Sequence, residues 1–85
     1  MKIAAQVTWV AETCGVAVAK GRDKFRLWIP YPHAAIWALI AHGTFSPGWA
    51  REVMALLMSA DPSLAGQEVE RTLGAWRERG LIEGE

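Results

Sequence analysis

The sequence predicts an α+β domain in which a three-stranded antiparallel sheet is followed by three helices. Three observations indicate this fold: apolar and polar residues alternate in the first thirty positions, apolar residues recur at helical spacing after position 32, and glycine or proline stands at the boundaries. Because the predicted strands are joined by short connections, we expect an antiparallel meander. Because the strands precede the helices, we expect the helices to cover one face of the sheet.

The predicted strands occupy residues 6–11, 16–20 and 25–29, with turns at residues 12–15 and 21–23. In the third strand, Phe25, Leu27 and Ile29 point to one side, whereas Arg26 and Trp28 point to the other. This alternation predicts a strand that packs one face on the core and leaves the other face accessible.

The first two helices are predicted from their end signals. Pro30 and Pro32 end the third strand, and a helix over residues 33–42 follows, with Gly43 as its stop. Ser46 and Pro47 are typical of an N-cap and a first helical residue, so we expect the second helix over residues 47–59. Its expected apolar face consists of Ala50, Val53, Met54, Leu57 and Met58.

The third helix is expected to begin at residue 64 or 65, after a break at residues 61–63, and to run to residue 79. Val69, Leu73 and Trp76 form its apolar stripe. Gly80 closes the helix, and Leu81 is expected to fold back onto it.

The bulk composition predicts one domain spanning residues 1–85, since 52% of the 85 residues are hydrophobic and 21% are charged. The single cysteine, Cys14, has no partner for an internal disulfide, which fits a reducing compartment. We find no signal peptide and no apolar run of membrane-spanning length, so we expect a cytoplasmic protein without a membrane partner.

Candidates for catalysis are poor. His33 and His42 lie nine residues apart, and neither has a cysteine or carboxylate at metal-ligand spacing. No glycine-rich phosphate loop is present, and Cys14 has no histidine near it in the sequence. The nine basic residues balance the nine acidic ones, which disfavours nucleic acid as the partner. The sequence therefore predicts a protein that is not an enzyme and holds no metal or cofactor.

The charges are nevertheless polarised, because Lys20, Arg22, Lys24 and Arg26 lie within seven residues and are opposed only by Asp23. One interpretation is that these bases keep an edge strand soluble and unpaired. The other is that the edge strand binds an extended peptide, and that its bases attract an acidic segment.

Two segments resemble the PqqD-like proteins, also called RiPP recognition elements: "FRLWIPYPHAAIWALIAHGTFSPGWAREVMALL" and "QEVERTLGAWRERGLIEGE". With the order of three strands and three helices, the resemblance covers residues 7–83. It departs from the family pattern at residues 30–32, where the family has a small polar residue, and at Thr72, where the family tends to be apolar.

The resemblance implies a non-catalytic peptide chaperone with a winged-helix fold. Such proteins bind the leader segment of a ribosomally made precursor peptide and present it to a modifying enzyme, often a radical S-adenosylmethionine enzyme, as in pyrroloquinoline quinone biosynthesis. The leader docks as an added strand on the third strand, against the third helix. Carried onto this chain, the implied peptide-binding residues are Phe25, Arg26, Leu27, Trp28, Ile29, Val69, Arg71, Thr72, Leu73, Trp76 and Arg77.

Two alternatives remain open. A winged helix that binds DNA needs a basic recognition helix, whereas the third helix mixes Glu68, Glu70 and Glu78 with its arginines. A structural subunit that docks permanently on a larger enzyme would expose an apolar patch containing tryptophan. The open third strand would also allow pairing with the same strand of a second copy, so a homodimer alone would not exclude peptide binding.

Overall fold

The computed structural model describes residues 1–21 and 25–84, so the predicted turn at residues 21–23 and the bases Arg22 and Lys24 lie largely outside it. The elements, in chain order, are β1 (Lys2–Ile3), β2 (Val7–Glu12), β3 (Gly15–Lys20), β4 (Phe25–Pro30), α1 (His33–Ala41), α2 (Pro47–Met58), α3 (Pro62–Glu78) and β5 (Ile82–Glu83). Within the described ranges, no helix is long and apolar enough to cross a membrane.

The three-stranded antiparallel sheet has the order β2-β3-β4, which confirms the predicted meander. Residues on the helix-facing side are buried, among them Val16 and its cross-strand partner Ile29. Helix α1 packs against β3 and β4. Because β4 pairs with β3 alone among the described strands, its other edge is open.

A second, two-stranded sheet was not predicted. It joins the two ends of the described chain by pairing β1 with β5 in antiparallel register, Lys2 opposite Glu83 and Ile3 opposite Ile82. The Lys2 ammonium lies 3.5 Å from the Glu83 carboxylate. Strands of two residues are too short to show an alternating pattern, so the sequence carried no signal for them.

The helix boundaries follow the capping residues. Ser46 accepts a hydrogen bond from the Trp49 backbone N–H at 3.2 Å, as predicted for an N-cap. Helix α3 begins at Pro62, so the prediction of a start at residue 64 or 65 was wrong. Asp61 accepts a bond from the Ser63 N–H at 2.8 Å, and Pro62 is therefore the first helical residue rather than a breaker.

The end of α3 confirms the predicted glycine stop. Gly80 has a positive φ of 69°, and the Leu81 N–H donates to the Trp76 carbonyl at 2.9 Å. Lys20 of β3 adds a hydrogen bond from its ammonium to the Arg79 carbonyl at 3.0 Å, which ties the sheet to the helix terminus. Leu81 is fully buried as a result of the reversal.

The expected apolar face of α2 is correct only in part. Ala50 and Met54 are fully buried, but Leu57 is 50% exposed and Met58 is 39% exposed. Helix α2 contacts α1 and α3, and it meets them through the narrow strip that contains Ala50 and Met54. Apolar residues beside that strip are therefore left at the surface.

We expect Gly15→Ala to destabilise the fold by about 1–3 kcal/mol, because a Cβ at this position would overlap the Ile29 carbonyl oxygen and lie 2.8 Å from Cζ2 of Trp28. Urea unfolding followed by far-ultraviolet circular dichroism measures the change. The control is Gly74→Ala in α3, where an added Cβ meets nothing within 4 Å. That variant should gain up to about 1 kcal/mol from helix propensity, and equal effects at both positions would contradict the packing argument.

Candidate functional site

A cleft of about 240 Å³ lies between β4 and α3. Residues from both faces of β4 line it, which places the cleft along the open edge of that strand. Its lining residues are Leu27, Trp28, Ile29, Pro30, His33, Arg71, Thr72, Ala75 and Trp76. An extended chain entering this cleft would meet unpaired backbone groups on one side and a helix face on the other.

Six of the eleven residues implied by the resemblance come together in this cleft: Leu27, Trp28, Ile29, Arg71, Thr72 and Trp76. Four of these side chains are partly or fully buried, whereas Trp28 is 46% exposed and Arg71 is exposed at the mouth. Their role in binding stays a prediction.

The other implied residues of α3 face away from the cleft. Val69, Leu73 and Arg77 recur at four-residue intervals, and they line a separate groove of about 1010 Å³ together with Gly48 and Arg51 of α2. That groove is larger than the strand–helix cleft, but no residue of the three-stranded sheet lines it. Strand addition therefore requires the smaller cleft.

The first two residues of β4 also lie outside the cleft. The Phe25 ring is covered by the Arg79 guanidinium, whose carbon lies 5.7 Å from the ring centre. Arg26 is on the opposite face of the sheet from the helices, beside a depression of about 440 Å³ over Ala17 and Ala19. Its cross-strand partner is Ala19.

Three lining residues were missed by sequence reasoning: Pro30, His33 and Ala75. The signal for Ala75 was present, because Thr72, Ala75 and Trp76 form their own stripe at three- and four-residue spacing. The neighbouring stripe of Val69 and Leu73 is more apolar, and it is buried in the core.

A polar cluster crosses the mouth of the cleft. The Glu68 carboxylate lies 2.7 Å from His33 Nε2 and accepts a hydrogen bond from Arg71 Nε at 3.0 Å, and a second Arg71 nitrogen also pairs with it. The Glu68 side chain is only 20% exposed. The carboxylate joins the first residue of α1 to α3 and neutralises Arg71.

These contacts shift the pKa values of Glu68 and Arg71. Hydrogen bonds from Arg71 first, and from His33 second, lower the pKa of Glu68 from 4.5 to about 2. The same pairing raises the pKa of Arg71 above its ordinary value. The Glu68–Arg71 pair is therefore ionised over the whole physiological range.

Thr72 is a buried polar residue of the cleft lining. It is 5% exposed, and its hydroxyl has no hydrogen-bond partner within the described chain. The indole N–H of Trp37 is also buried without a hydrogen-bond partner among the described residues. Leaving such groups unpaired is unfavourable by about 1–3 kcal/mol each.

Of the predicted basic run, Lys20 is engaged by the Arg79 carbonyl, and Arg22 and Lys24 are outside the described residues. Arg26 is exposed.

Within residues 1–21 and 25–84, no group of three or more His, Cys, Asp or Glu side chains could hold a metal ion. Cys14 is exposed and reduced in the β2–β3 turn.

Comparison with solved structures finds the same fold in TbiB1, solved in complex with the TbiA(beta) leader peptide. The TM-score is 0.87 at 19% sequence identity, and the match covers 100% of this chain and 98% of TbiB1. No family model matches the sequence, and no curated protein matches it. The architecture is thus one that is found in a protein with a bound leader peptide.

The Glu68 cluster predicts a stability change in acid. Above pH 4.5 the Glu68 carboxylate is ionised in the folded and unfolded chain alike. Between pH 4.5 and about 2 the unfolded chain takes up the proton first, so the free energy of unfolding falls as the pH is lowered through this window. In urea unfolding across this window, Glu68→Gln should flatten the pH dependence relative to the wild type.

The control for this measurement is Glu70→Gln, which removes a carboxylate that is exposed on the same helix and forms no ion pair with any described residue. Its pH profile should keep the wild-type slope. A Glu68→Gln profile that is as steep as the wild type would show that the cluster contributes nothing to stability.

Proposed function

We propose that this protein captures the leader segment of a ribosomally synthesised precursor peptide and presents it to a modifying enzyme, in the manner of the PqqD-like RiPP recognition elements. The observation that supports this most directly is the open edge of β4 beside the α3 cleft, in a fold shared with the leader-bound TbiB1. The chain itself would supply no catalysis.

The proposed capture uses strand addition. The leader's backbone would pair with the open edge of β4, and alternate side chains would enter the cleft against Leu27, Ile29 and Trp76. Main-chain bonds give such complexes their affinity, and the apolar cleft selects the side chains. We expect a dissociation constant near or below micromolar, equivalent to about 8 kcal/mol or somewhat more.

Presentation requires a second surface for the enzyme, which we propose is a radical S-adenosylmethionine enzyme. Helix α2 and the start of α3 carry exposed apolar side chains, which we call the α2 patch: Trp49 at 50%, Leu56 at 80%, Leu57 at 50% and Leu64 at 60%. Exposed apolar surface of this kind is typical of protein–protein contacts.

The α2 patch and the cleft are on different sides of α3. Gly66, which lies against Arg51 of α2, is about half a helical turn away from the cleft-lining Arg71 and Ala75. Both surfaces are therefore open at once. This separation supports a chaperone that holds a peptide and an enzyme together, rather than a subunit that is fully covered by its partner.

We expect Ala75→Glu to weaken leader binding at least tenfold, because Ala75 is exposed in the cleft and the longer charged side chain would fill it. The ligand is the leader of a short precursor encoded beside this gene, titrated by isothermal calorimetry. Gln67→Glu is the matched control: it adds the same charge to α3 at an exposed position that lines the other groove.

Backbone amide NMR of the same titration locates the peptide. Shifts should concentrate in residues 25–30 and 71–76, and Gln67→Glu should leave them unchanged. Binding that both substitutions weaken equally, or that shifts other residues, would rule out the strand–helix cleft as the binding site.

We expect Leu56→Glu to slow modification of the precursor while leaving leader affinity unchanged, because Leu56 is the most exposed apolar residue of the α2 patch. The assay measures turnover of the precursor by any radical S-adenosylmethionine enzyme that is encoded beside this gene. Val10→Glu is the control, since Val10 is 61% exposed on the sheet and lies outside the patch. Equal turnover in both variants would remove the patch as the enzyme contact.

A further inference from the structure

The outward face of β4 carries a row of side chains that the core does not use. Arg26, Trp28 and Pro30 are exposed, whereas Leu27 and Ile29 between them point toward the helices. A strand added to the edge of β4 continues the pleat of the sheet. Every second residue of an added peptide would therefore stand beside this outer row rather than in the cleft.

Arg26 is available for pairing at this edge. Its neighbour on β3 is Ala19, which offers no charge, and Arg26 forms no ion pair within residues 1–21 and 25–84. Arg71 at the cleft mouth is already neutralised by Glu68, and Lys20 is bonded to the Arg79 carbonyl. Among the bases that the structure describes along the sheet and cleft, Arg26 is thus the one best placed to select a charged residue.

Trp28 provides a different kind of contact two positions further along. It is 46% exposed, and it lines both the cleft and the outer depression. Its neighbour on β3 is Ala17, and a ring atom lies beside Gly15, so small residues leave the indole uncovered on this face. A directly opposed apolar side chain would pack against the indole.

We infer that the outer row reads a three-residue pattern in the bound peptide: an acidic residue opposite Arg26 and an apolar residue opposite Trp28, separated by one apolar residue that enters the cleft. The inference rests on the proposed capture by strand addition and specifies which peptides are captured. The acidic residue comes first in the pattern if the peptide runs parallel to β4, and last if it runs antiparallel.

The test is a selection of phage-displayed peptides with a randomised nine-residue segment on the immobilised full chain. The wild type should enrich segments in which an acidic and an apolar residue lie two positions apart. Arg26→Glu should switch the preferred residue at the charged position from Asp or Glu to Lys or Arg. Arg51→Glu makes the same charge change on an exposed part of α2 and should not switch it.

Individual peptides from the selection give the magnitude. A cross-strand charge pair contributes roughly a two- to fivefold change in affinity, so an acid-containing peptide should lose that factor on Arg26→Glu and the base-containing version should gain it. Near 1 M salt, where screening acts over roughly 3 Å, the difference should shrink. Amide NMR with the same peptide should shift residues 25–30.

The outcomes separate the inference from the function on which it rests. Enriched peptides that shift β4 but show no charge switch, or that switch equally with Arg51→Glu, overturn the outer-row pattern and leave leader capture intact. A wild-type chain that enriches no segment overturns peptide capture and the pattern with it. A switch confined to Arg26→Glu supports both.

Discussion

The packing of Trp37 against Trp76 holds the cleft in place. The two rings meet edge to face, with centres 5.3 Å apart and planes at 82°, and they are 0% and 5% exposed. Trp76 also forms part of the cleft wall. The Trp76 ring packs in the core and also lines the cleft, so it fixes the rotation of α3 about its own axis. Thr72 and Ala75 therefore face the open edge of β4.

Local signals made most of the fold predictable. Alternation located the strands, and the Ser46 cap and the Gly80 reversal located helix ends, because each depends on residues within one turn of the chain. The β1–β5 sheet depends on pairing between the two ends of the described chain, so no local pattern could predict it. The start of α3 was misplaced because Pro62 suits both a break and a first helical turn.

The sequence located the cleft only in part, because three of the five implied strand residues and three of the six implied helix residues line it. Alternation in β4 identifies which residues face the helices, since the period of two admits one answer. On α3 the core stripe of Val69 and Leu73 adjoins the cleft stripe of Thr72 and Ala75, and tertiary packing alone decides between them. The contact of His33 with Glu68 joins residues 35 positions apart, which no spacing rule anticipates.

The unequal exposure of the tryptophans gives the chain built-in optical reporters. Trp28 is 46% exposed at the cleft and Trp49 is 50% exposed on α2, whereas Trp37 and Trp76 are buried. Indole emission moves to shorter wavelength when water leaves the ring. Binding at the cleft would therefore shift the emission of Trp28, and binding at α2 would shift the emission of Trp49. Replacing Trp49 by phenylalanine would leave Trp28 as the reporter of peptide arrival in the proposed cleft, and replacing Trp28 would leave Trp49 as the reporter of docking on α2, so two unlabelled variants would follow the two proposed events separately in time.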